Sequence, residues 1–513
     1  MMHKNRECPP AISCSLPKDV YNAAWLIFIL QGFGMLVPRS MFTDATNYFL
    51  ERFCGSSFEI IYEDSITLSY NTACMVGLLL TLRYQHLYPV RWRVVGPLWL
   101  LASALVVCCI FVTITQVSSG LLFTFTMSVV LLSGLSVACL QGGFVALATL
   151  FPPEYLQALL IGQGVAGLVV SLAAIFTELA STDDSCSSTS SSTSTSETCS
   201  EYSTNWSTLV YFVIGASVLL TCLAMYPVLE KLPFTRYCMT QGEVMVASDD
   251  PVSDAECRTV VVDEDCGDGA GGWTVDRNNG NGHSKGRGVS TSGLSFETPS
   301  FQSSASKNLL PANEATVIDE PKGFATSRVK LRGASRGVRA ELAAIAPLAY
   351  TVFVNYVVTI ALHPGATTLI VSWRECLPGY SRFFSKNIFV LFSFVSFNAF
   401  DLIGRFSPSV LDPLPNSWLP VAASLRVVFF PLMLGCHTDY SRIPVYLSSD
   451  AYPLVIIPLL GFTSGLLTSR ALMAGSRYGP WAATALTLFL VGGNLTGALL
   501  AFLVTYAITG SFT

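Results

Sequence analysis

Long apolar runs alternate with short polar breaks along this chain. A helix needs about 20 mostly apolar residues to cross the hydrocarbon core of a bilayer. Eleven segments read as such spans: residues 22–45, 66–82, 95–117, 121–149, 157–179, 208–229, 342–370, 387–406, 419–437, 451–469 and 480–509. The pattern predicts an all-α, polytopic membrane protein with eleven transmembrane helices. Segment 66–82 is short, and 342–370 is long enough to tilt or to continue past the membrane. Residues 94–153 contain no Asp, Glu, Lys or Arg, and the Ser118-Ser119-Gly120 break divides them into two spans. Residues 480–513 are likewise free of these charges. An outer-membrane barrel would show alternating strands of about ten residues; these runs are much too long.

Two polar inserts interrupt the pattern. Residues 180–207 are mainly Ser and Thr, with Asp183, Asp184, Glu197 and Glu201 and no basic residue. Residues 230–340 are rich in Gly, Ser, Asp and Arg, with few aromatics and no sustained period, which predicts disorder with short helices permitted inside. The expected organisation is an N-terminal tail (1–19), a six-helix bundle (20–229) containing the Ser/Thr-rich loop, a disordered loop (230–340) and a five-helix bundle (341–513). The first 19 residues are polar and hold Pro9, Pro10 and Pro17, so no cleaved signal peptide is expected and the first span acts as its own insertion signal.

Composition agrees with the pattern. Apolar residues make up 51% of the 513, charged residues only 12%, and mean hydropathy is +0.52, against roughly 25% charged residues in a soluble globular protein. Net charge is −5, so the chain has no basic field for nucleic acid. A soluble enzyme, a nucleic-acid binder and a largely disordered chain are excluded.

Charge placement sets an expected orientation. Arg83, Arg91 and Arg93 lie between spans two and three, Lys231 to Arg339 carry many basic residues, and Arg470 and Arg477 lie between spans ten and eleven. The loop between spans one and two has Glu51, Glu59, Glu63 and Asp64 against Arg52. By the positive-inside rule the N-terminus and the 230–340 loop are cytoplasmic, and the odd span count puts the C-terminus outside. Arg374, Arg382 and Lys386 fall on the outer side and run against this assignment. The outer loop then holds a glycosylation sequon, Asn205-Trp206-Ser207. Cysteines in apolar segments, such as Cys108, Cys109 and Cys139, read as small buried hydrophobes. Cys186 and Cys199 lie in the polar loop and can pair as a disulfide if it is outside.

An ionised group in hydrocarbon costs several kcal/mol unless it faces a partner or a wet cavity. Asp401 and Arg405 are four apart, hence on one helix face. Asp401 can accept hydrogen bonds from a polar solute or orient Arg405, whose rigid donor fork suits hydroxyl or carbonyl oxygens; a structural ion pair between helices is the rival reading. Arg426 lies in span nine, and Arg39 follows Pro38 in span one, as a gating or structural residue. Gln141 offers two donors and an acceptor, which suits a base or sugar edge or helix–helix glue. Gln163, in Gly162-Gln-Gly-Val-Ala-Gly167, reads as a packing or hinge residue. His363-Pro364-Gly365 interrupts span seven, and broken helices border the solute site in many transporters; His363 is a gate or proton-sensitive candidate. Trp25 has a planar face for stacking on a planar solute, against core or lipid contact as the plainer reading. The five histidines are scattered, and neither a zinc-spaced CxxC nor an HExxH occurs, so no metal or other cofactor is expected. With no P-loop and no catalytic cluster visible, direct use of ATP and enzyme activity are not expected.

These residues also carry a family pattern. Leu140-Gln-Gly-Gly-Phe144, Phe151-Pro-Pro and Gly162-Gln-Gly-Val-Ala-Gly167 resemble the fourth and fifth helices of the equilibrative nucleoside transporter family. Phe397-Asn-Ala-Phe-Asp-Leu-Ile-Gly-Arg405 is similar to its Asn-x-x-Asp-x-x-x-Arg segment in the eighth helix. Arg426 with Phe430-Pro-Leu432, Thr359 to Pro364, and Gly32-x-Gly-x-Leu-x-Pro38 resemble the ninth, seventh and first. The likeness covers everything except the termini and the two inserts, which themselves resemble those of members from unicellular parasites. It implies facilitated diffusion of nucleosides, or of nucleobases, through a cavity between a six-helix and a five-helix bundle in a major-facilitator-like arrangement. Carried over, Gln141 contacts the base, and Asp401 and Arg405 hold the ribose hydroxyls. Two departures stand out. Arg39-Ser40 replaces the usual Trp-Asn, which bears on local packing and coupling, and Val137 replaces a common Gly, which narrows the expected pocket.

The expected mechanism is alternating access by a monomer in the plasma membrane, with a nucleoside or nucleobase and the lipid bilayer as its partners. Proton coupling through Asp401, Glu178 or His363 is left open. So are three rivals: another small solute such as a nucleobase or sugar, a membrane enzyme, and a receptor or scaffold acting through the 230–340 loop.

Overall fold

Each apolar run folds into a helix because hydrocarbon offers no partner to the peptide group, so every N–H and C=O must be paired within the segment. The computed structural model describes residues 18–44, 49, 52–53, 58–84, 87–114, 117–180, 206–247, 334–374, 382–410, 415–438, 442 and 444–509. Apart from isolated bridges between Ile370 and Thr438 and between Cys436 and Leu447, the described residues hold no strand.

Eleven helices are long and apolar enough to cross a membrane. We number them α1 (Ala23–Asp44), α2 (Phe58–Tyr84), α3 (Val90–Thr113), α4 (Ser119–Ala148), α5 (Pro153–Ala180), α6 (Trp206–Lys231), α7 (Ala334–Leu362), α8 (Lys386–Val410), α9 (Asn416–Leu434), α10 (Ala451–Ser476) and α11 (Pro480–Thr509). The segment that looked short by hydropathy is a 27-residue helix, α2, whose first turns carry the acidic residues that shortened the apolar run. The long seventh segment divides at His363-Pro364: α7 ends at Leu362 and a five-residue helix, Gly365–Leu369, continues the chain. In α9 a 3-10 turn at Arg426–Val428 separates Leu419–Leu425 from Phe429–Leu434. Within the 230–340 stretch a helix covers Pro233–Ala247. Cys186, Cys199 and Asn205 lie outside the described residues.

The helices pair twice in the same way. In the first six, α1 packs on α5 and α2 on α4; in the last five, α7 packs on α11 and α8 on α10. The second set is the first shifted by six helices. Close approach depends on small residues, as expected where lipid removes the hydrophobic drive between helices. A Cβ at Gly32 would overlap the Leu159 carbonyl, and one at Gly162 that of Ile29. In α8 and α10, a Cβ at Gly404 would meet Phe462, and Cβ atoms at Gly461 and Gly465 would strike the backbone at Phe397 and Asp401. The contact positions advance together on both helices, so α8 and α10 run parallel.

Two further contacts join the first six helices to the last five: α5 with α8 and α10, and α11 with α2 and α4. These are also related by the six-helix shift. Most Ser and Thr hydroxyls in the spans return to a carbonyl one turn back, as Thr81 does to Gly77, Thr359 to Asn355, Thr484 to Pro480 and Thr487 to Ala483, which satisfies them without a neighbour. Some side chains do bond across helices within the first six, as Gln31 does to the Cys222 carbonyl and Arg93 to that of Gly142; buried ionised groups of the last five meet their partners on the α5–α8–α10 side and in the adjoining α7–α9–α10 core.

Candidate functional site

The i,i+4 spacing on α8 brings Asp401 and Arg405 into contact. The Arg405 Nε donates to Asp401 Oδ2 at 2.6 Å, and the two residues are 8% and 6% exposed. A second donor of the same guanidinium crosses to the first six helices, where its N–H reaches the Leu160 carbonyl on α5 at 2.9 Å. Gly164, one turn along α5, leaves room for the arginine stem; a Cβ there would lie 3.1 Å from Arg405 Cδ. On the other side Gly461 and Gly465 let the α10 backbone lie against Asp401. The pair is thus clasped between α5 and α10, and the Tyr356 side chain on α7 also interacts with Arg405.

Arg426 is a second buried cation, 2% exposed. Its donors go to the main-chain carbonyl of Asn355 at 2.9 Å, to the Asn355 side-chain oxygen, and to the Leu460 carbonyl at 2.8 Å. Asn355 in turn donates to the Ser464 carbonyl at 3.2 Å and to the Thr468 hydroxyl at 3.0 Å. The Arg426 Nε has no hydrogen-bond partner among the described residues. Asp401 acts electrostatically on both arginines, so one carboxylate serves two guanidiniums in a buried setting. Such a group presents excess donors, which fits a neutral solute rich in hydroxyl and carbonyl oxygens.

The other sequence candidates are spread over both sets of helices. Gln141 is half-buried on α4, and its amide makes no hydrogen bond with the described residues, Asp401 and Arg405 included. Its neighbour Gly142 faces Leu78 and Thr81 of α2 and Thr484 of α11. Trp25 lies in the first turn of α1, where the Asp19 carboxylate accepts its main-chain N–H at 3.1 Å and that of Ala24 at the same distance; its ring packs against the main hydrophobic core. Gln163 points its amide at the Met35 sulfur, 3.7 Å away, as a packing contact between α5 and α1. The Arg39 guanidinium lies 5.9 Å from the Tyr70 ring centre, beside a small cavity lined with Phe42, Ile66 and Thr67.

His363 stacks on Phe397 at 3.9 Å with the rings 19° apart, meets Phe394 edge-on at 4.9 Å, and has Nδ1 3.3 Å from the Thr367 hydroxyl. Phe397 is one turn before Asp401, so this aromatic stack neighbours the ion pair along α8. Pro364, at the break, is exposed. Among the described residues no group of three His, Cys, Asp or Glu side chains gathers to hold a metal.

Sequence reasoning passed over Asn355, Tyr356 and Gln157. Asn355 carried the same signal as Gln141, an amide within an apolar run, whereas Gln157 stands at the edge of one; both are fully buried. Glu178, weighed earlier only as a proton carrier, accepts a hydrogen bond from Asn387 at 2.9 Å and so links the far ends of α5 and α8.

Comparison with known proteins adds to this geometry. A family model described as nucleoside transporter matches residues 126–265 and 308–506, which include Gln141, the Asp401–Arg405 pair and Arg426. The chain is 24% identical to equilibrative nucleoside transporter 1 of Homo sapiens, covering 95% of this chain and 98% of that one. It is 26% identical to equilibrative nucleoside transporter 2 of Homo sapiens and 23% identical to equilibrative nucleotide transporter 1 of Arabidopsis thaliana, covering 95% of this chain each time and 98% and 87% of those proteins. Among solved structures, a D-xylose-proton symporter superposes with a TM-score of 0.48 at 11% identity, covering 95% of this chain and 90% of that one.

Proposed function

The chain belongs to the nucleoside transporter family, and from that premise we propose that it carries nucleosides such as adenosine or inosine across a membrane by facilitated diffusion. The cycle is alternating access: helices α1–α6 and α7–α11 act as two bodies that part at one end while closing at the other. The observation that carries this reading is the buried Asp401–Arg405 pair, whose guanidinium also donates to a carbonyl of the opposite body. In this conformation Arg405 is shared between Asp401 and the Leu160 carbonyl, which lowers the cost of burying charge. When the two bodies part, the Leu160 bond opens and a guanidinium donor and carboxylate lone pairs become available. Ribose hydroxyls can then replace the lost bonds while the nucleoside sheds its water, the exchange that makes a polar solute tolerable in a dry passage. Gln141 supplies a free amide for the base edge, and Trp25 a stacking face.

The positive-inside count supports a cytoplasmic N-terminus and 230–340 loop and an extracellular C-terminus. The reading is completed by the plasma membrane as location and a monomer as the working unit. No covalent step is required, and net flux follows the gradient.

Uptake of radiolabelled adenosine and inosine by vesicles holding the purified chain, with and without a proton gradient, tests solute and coupling together. We expect saturable uptake that Asp401→Asn reduces about a hundredfold per molecule, since the substitution removes the charge opposite Arg405, a loss of about 3 kcal/mol or more. Normal uptake per molecule by that variant would remove Asp401 from the site, and no uptake of any nucleoside by the unaltered chain would end the transport reading.

A further inference from the structure

We propose that Gln157 is a positioning latch of the transport cycle, holding the end of α8 to the start of α5 and setting how often the two bodies part there. The Gln157 side chain is 1% exposed. Its Nε2 donates to the Arg405 carbonyl at 2.6 Å and reaches the Phe406 carbonyl at 3.4 Å, while its Oε1 accepts the Ser409 hydroxyl. Both ends of the carboxamide are therefore used on α8, across the boundary between the two bodies. A main-chain carbonyl has a second lone pair, so these bonds add to the helix's own ladder.

The placement is informative. Along α5 the order is Pro153, which lines a cavity of about 270 Å3 with Asn416, Arg470 and Arg477; then Gln157; then Leu160, which holds the Arg405 guanidinium. One stretch of α5 thus grips Arg405 at its main chain and at its side chain, and Gln157 stands between the cavity and the ion pair. Moving α8 away from α5 breaks these bonds together, which opposes the movement. The latch residue touches the backbone of Arg405 and has no need to touch the solute.

The proposal rests on the alternating-access reading, and its test separates the two. Full-length Gln157→Leu and Gln157→Asn are reconstituted in vesicles, and the KM for adenosine is measured by zero-trans flux from each side. Loss of the latch favours the state open at the start of α5. The KM on that side should fall, and the ratio of the two KM values should shift by about tenfold, with a smaller shift in the same direction for Ser409→Ala. A merely structural role scales every flux with protein yield and leaves the KM ratio unchanged; that result overturns the latch. Amide exchange over residues 402–410 of the purified chain gives a readout independent of solute, expected to be about tenfold faster in Gln157→Asn. If the unaltered chain transports no nucleoside, the transport reading fails, and exchange still decides the latch: faster exchange upholds it and unchanged exchange overturns it.

Discussion

The two contacts that join α1–α6 to α7–α11 have the same topology and opposite chemistry. Where α5 meets α8 and α10, directional bonds cross the boundary: Arg405 to Leu160, Gln157 to Arg405 and Phe406, Ser409 to Gln157, and Asn387 to Glu178. Where α11 meets α2 and α4, the meeting groups are small or apolar: Gly142 faces Thr484, and Gly492 faces Met75. Even Thr484 spends its hydroxyl on Pro480 within its own helix. The fold does not impose polarity on this boundary, since the six-helix shift places equivalent helices at both. An apolar seam slides with little loss as van der Waals contacts re-form, whereas the polar seam resists until its bonds are exchanged for others.

The comparison can be broken most severely at Arg405. Arg405→Leu leaves Asp401 buried without its cation, at a cost of about 3–5 kcal/mol; uptake per molecule should fall by more than a hundredfold, and the unfolding temperature of the purified protein should drop as well. A paired glycine experiment comes next in size. In Gly164→Leu the added side chain must displace the Arg405 stem, whereas in Gly492→Ala the new methyl meets the mobile end of Met75, 3.3 Å away. Uptake should fall about tenfold for the first, the scale of an overpacked contact, and change less than about twofold for the second. Equal losses would mean that the two seams are equivalent after all. The smallest effect is expected at the far end of the polar seam from Gln157, where the Asn387–Glu178 contact is exposed. Glu178→Gln keeps an acceptor for Asn387, and a link between exposed groups is worth about 0–1 kcal/mol, so uptake should stay within about twofold between pH 6 and 8. A steep pH dependence that the substitution abolishes would make Glu178 a coupling group.

Much of this was legible beforehand for identifiable reasons. The spans were readable because bilayer thickness converts directly into a length of apolar chain, and the Asp401–Arg405 contact because four residues make about one helical turn. Arg426 was readable as a costly cation, yet its partners were not, since two of the three are main-chain carbonyls, which carry no residue-type signal. Gln157 stood four residues beyond Pro153, near a span end, where a glutamine ordinarily faces water; only packing against α8 made it buried. Trp25 shows the converse. Its aromatic face suits core contact and stacking on a solute alike, and the fold packs its ring beside the main hydrophobic core.

The amino-acid sequence by itself determined how many helices are long and apolar enough to cross a membrane, the break at His363-Pro364 and which side chains are too polar for lipid. Those properties are local, because hydrophobic length and helical period accumulate residue by residue along one segment. The tertiary structure decided what satisfies the polar groups. Leu160 and Arg405 are 245 positions apart in the chain, and Gln157 and Ser409 are 252 apart. Hydrogen bonds act over about 3 Å, so only the packing of one helix on another could select these partners.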